Sequence, residues 1–66
     1  MDAAEKGQRY AKIFRRAGLF LSKGNVERAI EVLKEGQALA EQQGDHSMAR
    51  RYAAEIEQAG KEPPAE

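Results

Sequence analysis

A histidine, an aspartate and a serine are consecutive in this sequence, as Asp45, His46 and Ser47. The same residue types form the catalytic triad of many hydrolases, in which the histidine takes a proton from the serine and the acid orients the histidine. Adjacent residues cannot converge on one substrate in this way, and a helix start with Asp45 or Ser47 as the N-cap and an exposed His46 explains them better. We therefore expect no catalytic residues and predict that the chain is not an enzyme.

Three glutamates follow one another at intervals of four residues, at Glu27, Glu31 and Glu35. On a helix this spacing aligns their carboxylates on one face, which suggests cation binding. No histidine stands at a metal-ligand spacing from them, and the chain has no cysteine. A solvated face that pairs with Arg28 and Lys34 is the better interpretation. Because the glycines are also too scattered for a phosphate loop, the sequence predicts neither a metal nor a cofactor.

Basic residues share the outer face of the first predicted helix, at Arg9, Lys12 and Arg16. Such a face can contact nucleic-acid phosphates or an acidic peptide, or it can be a polar surface that complements an acidic neighbouring helix. Eleven basic and eleven acidic residues give no net charge, which disfavours a general binder of polyanions. We therefore predict a protein partner of unknown identity, with nucleic-acid binding through this face as the alternative function.

Apolar residues recur at three- and four-residue steps in three stretches, and each stretch predicts an amphipathic helix. Asp2 and Glu5 form a capping box at the start of the first helix. Glycines at positions 24 and 44 mark turns, because glycine readily takes the left-handed conformation that ends a helix. The second helix is predicted from about residue 26 to about residue 43, and the third ends at Gly60. The predicted fold is all-α, with three antiparallel helices joined by short turns.

Outside this helical domain of residues 1–60, residues 61–66 form a polar segment with two prolines, which predicts a disordered tail. The sequence contains no apolar run long enough to span a membrane and no signal-peptide core. A cytoplasmic location is therefore expected.

The second helix carries an additional apolar stripe of Val32, Gly36 and Leu39 beside a main stripe centred on Leu33. A helix with two apolar faces packs against two neighbours. Leu19 falls outside the stripe of the first helix. We expect Leu19, Val32 and Leu39 to contact either the rest of the chain or a protein partner, together with the three basic residues of the first helix.

Self-association is expected because 66 residues without cysteine form a small core. Such a core gives roughly 3–5 kcal/mol of stability at best. A symmetric homodimer covers exposed apolar faces without generating a filament. A homodimer is therefore predicted.

One pattern of large and small residues covers the first two predicted helices. An aromatic residue, a small pair and a large residue precede a glycine turn, which is followed by an alanine and a large apolar residue. These residues are Phe14, Ala17, Gly18, Leu21, Gly24, Ala29 and Leu33. From Phe14 to Tyr52 the chain resembles the tetratricopeptide repeat, over about one and a half repeats.

The resemblance implies a helical hairpin plus a capping helix and a role in protein–protein interaction or assembly. The chain departs from the pattern in a turn that is one residue shorter than usual, in Gly36 where alanine is common, and in the absence of a closing proline. A second register, through Ile13, Ala17 and Phe20, keeps the usual turn length but places Arg16 at a normally apolar position.

Overall fold

The computed structural model describes residues 2–61, which form three α-helices. They are α1 (Ala3–Ser22), α2 (Val26–Gln42) and α3 (His46–Lys61). The connecting turns are so short that successive helices run antiparallel, and α2 contacts both α1 and α3. The predicted all-α fold of three helices is confirmed.

Each of the two turns closes the preceding helix with the same pair of backbone hydrogen bonds. Gly24 and Gly44 have φ angles of 76° and 70°, in the left-handed region that glycine adopts without steric cost. The next backbone N–H donates back across the turn, from Asn25 to the Phe20 carbonyl and from Asp45 to the Ala40 carbonyl, each at 2.8 Å. Both turns are therefore Schellman motifs, which satisfy the last carbonyls of α1 and α2.

The residue after each glycine also starts the following helix. The Asn25 side chain accepts a hydrogen bond from the N–H of Arg28, and the Asp45 carboxylate accepts one from the N–H of Met48, both at 3.2 Å. At the start of α1, Asp2 accepts from the N–H of Glu5 at 2.9 Å. The predicted caps at Asp2 and Asp45 are thus confirmed, Asp45 rather than Ser47 caps α3, and Asn25 caps α2.

The third helix continues past Gly60, so the expected stop at that residue is wrong. Gly60 does not adopt a positive φ, and without this conformation a glycine weakens a helix but does not end it. Lys61 is helical, and its ammonium lies 3.0 Å from the Glu57 carboxylate one turn earlier. The remainder of the predicted tail, residues 62–66, lies outside the described residues.

The core lies between the three helices, with α2 in the middle. Its buried apolar members are Tyr10 and Ala17 of α1, Ala29, Val32, Leu33 and Ala40 of α2, and Tyr52 and Ala59 of α3. Val32 is only 4% exposed, so it packs inside this chain, and little of its side chain is left for a partner to contact. The reason is the central position of α2, since both of its apolar stripes are needed to cover neighbouring helices.

Tyr52 attaches α3 to the α1–α2 hairpin. Its side chain is fully buried, and its ring stacks on Phe14 with centroids 4.5 Å apart and planes 10° apart. The Tyr10 ring lies tilted against it at 5.9 Å. On the α2 side the ring occupies the space that a side chain at Gly36 would need, because a Cβ there would lie 2.9 Å from Cδ1 and overlap Cε1 and Cζ. Gly36 therefore allows α3 to approach α2 closely.

The two tyrosine hydroxyls make long hydrogen bonds at this junction. Tyr52 donates to the backbone carbonyl of Tyr10, and Tyr10 donates to the Asp45 carboxylate, each at 3.4 Å. The Lys6 ammonium lies 3.7 Å from the same carboxylate. Burial raises the pKa of Tyr52 from 10.0 to about 12. The pKa of Tyr10 is also raised, mainly by burial and to a smaller extent by the charge of Asp45.

We expect the chain to lose stability as the pH rises above 10. Between pH 10.0 and about 12 the folded protein holds a Tyr52 proton that the unfolded chain has released, so deprotonation favours unfolding. Below pH 10 the protonated Tyr52 makes its full contribution to the free energy of unfolding. Urea unfolding of wild type and Tyr52→Phe across this range tests the assignment, because phenylalanine keeps the ring packing but has no proton to lose. An equally steep alkaline loss in Tyr52→Phe would contradict it.

Candidate functional site

A groove of about 390 Å³ lies between α1 and α2, and four of the six residues predicted to bind a protein line it. Those four are Arg9, Lys12, Arg16 and Leu39, and the remaining lining residues are Ile13 and Glu35. The sequence predicts Glu35 on a solvated face and does not single out Ile13 as a binding residue. Their periodicity gave no sign that they would share a concavity, since that depends on how α1 and α2 are rotated against each other.

Helical geometry explains how these side chains meet. Arg9, Lys12 and Arg16 are spaced by three and four residues, so they follow one side of α1. Ile13 from α1 and Leu39 from α2 are partly buried and form the apolar part of the lining. The groove therefore has an apolar floor and a basic rim.

The two walls of the groove meet where Arg16 of α1 approaches Glu35 of α2, with the guanidinium 3.8 Å from the carboxylate. Both side chains are at least half exposed, so this pair adds little to stability. Lys12 of α1 and Leu39 of α2 lie in the same lining.

Two cations of the groove have no ion-pair partner among residues 2–61. Within residues 2–61, no carboxylate lies within 4.0 Å of the charged groups of Arg9 or Lys12. Both side chains also line a neighbouring concavity with Glu5 and Gln8, which extends the groove towards the start of α1. The positive charge of the groove is thus concentrated at Arg9 and Lys12.

The other end of the groove is smaller and carries balanced charge. A concavity of about 120 Å³ continues past Arg16 and Glu35 and is lined further by Phe20, Arg28, Glu31 and Val32. Arg28 and Glu31 pair at 3.2 Å, as the sequence predicted, whereas Glu35 pairs with Arg16 of α1 and not with Lys34. Glu31 and Glu35 of α2 therefore form the acidic wall of the groove.

Leu19 lies outside the groove lining and is 56% exposed. It follows Lys12 and Arg16 at helical spacing, which places it on the outer side of α1 beside the groove. Of the six predicted residues, the structure thus brings four together, buries Val32, and leaves Leu19 exposed at the side.

The Asp45-His46-Ser47 segment is arranged as a helix start. The Asp45 carboxylate accepts hydrogen bonds from the Met48 N–H and the Tyr10 hydroxyl, while His46 and Ser47 are exposed. No set of three histidine, cysteine, aspartate or glutamate residues among residues 2–61 is placed to hold a metal ion. The groove between α1 and α2 is therefore the candidate site.

Comparison with known proteins adds no constraint on the site. Neither a protein-family model, nor a curated protein, nor a solved structure matches this chain. In the described part of the chain, every helix is too short or too polar to cross a membrane.

Proposed function

We propose that this chain is a non-enzymatic module for protein–protein interaction or assembly, and that it binds a partner through the groove between α1 and α2. The observation that carries the proposal is the grouping of Arg9, Lys12, Arg16 and Leu39 around one concavity. An apolar centre with a polar, arginine-containing rim is typical of protein interfaces. A partner side chain buried against Leu39 supplies affinity, and the rim selects its charge.

The resemblance to tetratricopeptide repeats belongs to this proposal. It is supported by the left-handed Gly24 in the turn, by the fully buried Ala29 early in α2, and by the contacts of α2 with both neighbours. Repeats of this kind stack side by side, and each one covers the apolar surface of the next. Here α3 covers one side of the hairpin, and the groove, lined by α1 and α2, is open for an additional element.

Nucleic-acid binding, the alternative function, is less compatible with the groove. Glu31 and Glu35 stand on its α2 wall, so a phosphate backbone that follows the basic residues of α1 also meets carboxylates. Proteins that bind single strands without sequence preference combine a uniformly basic groove with exposed aromatic rings. The large rings of Tyr10 and Tyr52 are buried here.

A homodimer is a second mode of assembly, and the exposed Leu19 supports it. Val32, the other residue expected to mediate it, is in the core. The proposed dimer therefore rests on the outer side of α1 alone.

Affinity capture from a nuclease-treated lysate of the source cell tests the proposed function. The immobilised wild type should retain a protein partner, and Leu39→Gln and Lys12→Glu should each reduce the retained amount by about tenfold, the loss expected for a residue at an interface centre. Arg15→Glu is the control, because Arg15 is an exposed cation of α1 outside the groove. Circular dichroism of each variant verifies that it is folded.

Equal retention of the same protein by wild type and both groove variants would refute binding through the groove. Retention of nucleic acid in place of protein, in an untreated lysate, would support the alternative function.

A further inference from the structure

The groove is long enough to hold a helix of about four turns. Its central concavity shares Arg9 and Lys12 with the one near the start of α1, and it shares Arg16 and Glu35 with the one near Phe20. The depression therefore runs along α1 from Glu5 to Phe20, which is roughly 22 Å at 1.5 Å per residue. From Arg9 to Phe20 it lies between two antiparallel helices, which matches the shape of a third helix laid along them, and towards Glu5 it is lined by α1 alone.

The charge of the groove differs between its two walls. The α1 wall carries Arg9, Lys12 and Arg16, whereas the α2 wall carries Glu31 and Glu35. A ligand with negative charge on all sides meets repulsion from the α2 wall. A ligand with carboxylates along one edge only can reach Arg9 and Lys12 and keep those carboxylates away from α2.

A second copy of the chain is the alternative occupant of the groove, and the sedimentation measurement below distinguishes it from a helix of another protein.

We infer that the groove binds an amphipathic helix of another protein. One edge of the apolar stripe of that helix lies over α1, and this edge carries aspartate or glutamate. This inference rests on the proposed protein-binding function and specifies the chemistry of the partner. The apolar stripe covers Ile13 and Leu39, and the acidic edge pairs with Arg9 and Lys12. The opposite edge is neutral or basic, because it lies beside Glu31 and Glu35.

Two synthetic helical peptides of about fifteen residues, the length that fills the groove, test the inference. Both carry the same leucine stripe, and one edge of that stripe carries glutamates in the first peptide and lysines in the second. Fluorescence anisotropy with the full chain at physiological salt should show that the glutamate peptide binds at least about tenfold more tightly.

Charge-reversal variants locate the binding site of the peptide. Arg9→Glu combined with Lys12→Glu should reverse the preference, so that the lysine peptide binds more tightly. Arg15→Glu combined with Arg50→Glu changes the net charge by the same amount at exposed positions outside the groove, and it should keep the wild-type preference. Similar affinity for both peptides, or an unchanged preference in the Arg9/Lys12 variant, would overturn the inference.

Two further measurements decide between occupants. Binding of an oligothymidine with an affinity that falls steeply with salt, abolished in the Arg9/Lys12 variant, would replace the acidic helix with nucleic acid. A concentration-dependent dimer in sedimentation, abolished in the same variant, would replace it with a second copy. If neither peptide binds while the captured protein still depends on Leu39, the acidic-helix inference fails and the proposed function stands.

Discussion

Leu33→Ala should leave the chain largely unfolded at room temperature. Leu33 is 2% exposed at the centre of α2, within the core that joins all three helices. Truncation of a buried leucine costs about 2–5 kcal/mol, because apolar contacts are lost and a cavity remains. A core of this size supplies roughly 3–5 kcal/mol in total, so this one substitution removes most of the stability. Circular dichroism during thermal and urea unfolding measures the change.

Leu19→Ala is the matched control, since it removes the same atoms from a side chain that is 56% exposed. Its effect on the free energy of unfolding should stay within about 0.5 kcal/mol. If Leu33→Ala lowered the melting temperature by only a degree or two, Leu33 would not have the central packing role that the structure gives it.

Gly36→Ala should destabilise the chain, although alanine is the better helix former. The alanine Cβ would overlap the Tyr52 ring, and that ring cannot move away easily because it is fully buried and stacked on Phe14. Overpacking of a core costs about 1–3 kcal/mol, whereas the gain in helix propensity is about 1 kcal/mol. We therefore expect a net loss, measured as a lower midpoint of urea unfolding.

Gly18→Ala provides the opposite control in the same protein. Gly18 is an exposed helical residue, and nothing lies within 4 Å of the position that its Cβ would take. The substitution should raise the free energy of unfolding by about 0.5–1 kcal/mol. Stabilisation by Gly36→Ala as well would show that the Tyr52 ring does not pack against α2 as described.

A double-mutant cycle separates the clash from other effects of the substitution. Tyr52→Leu alone removes the aromatic stacking and is itself destabilising. Combined with Gly36→Ala it should cost less than the sum of the two single changes, because the smaller side chain leaves room for the Cβ.

The sequence alone determined where the helices start and how they are joined. The caps at Asp2, Asn25 and Asp45 and the turns at Gly24 and Gly44 depend on hydrogen bonds between residues no more than five positions apart. Such bonds are fixed by local residue types, so they can be predicted without knowledge of the fold. The end of α3 was mispredicted at Gly60, where glycine is present but the left-handed conformation is not.

Only the tertiary structure decided which surfaces remain available for binding. The sequence left open whether Val32 faces the core or a partner, and the position of α2 between two helices buries it. The groove joins Arg16 to Glu35, nineteen positions apart, and Gly36 receives the ring of Tyr52 from another helix. Helical periodicity gives the angle of each side chain around its own axis. It does not give the rotation and height of one helix relative to another, because these follow from the packing of all three helices together.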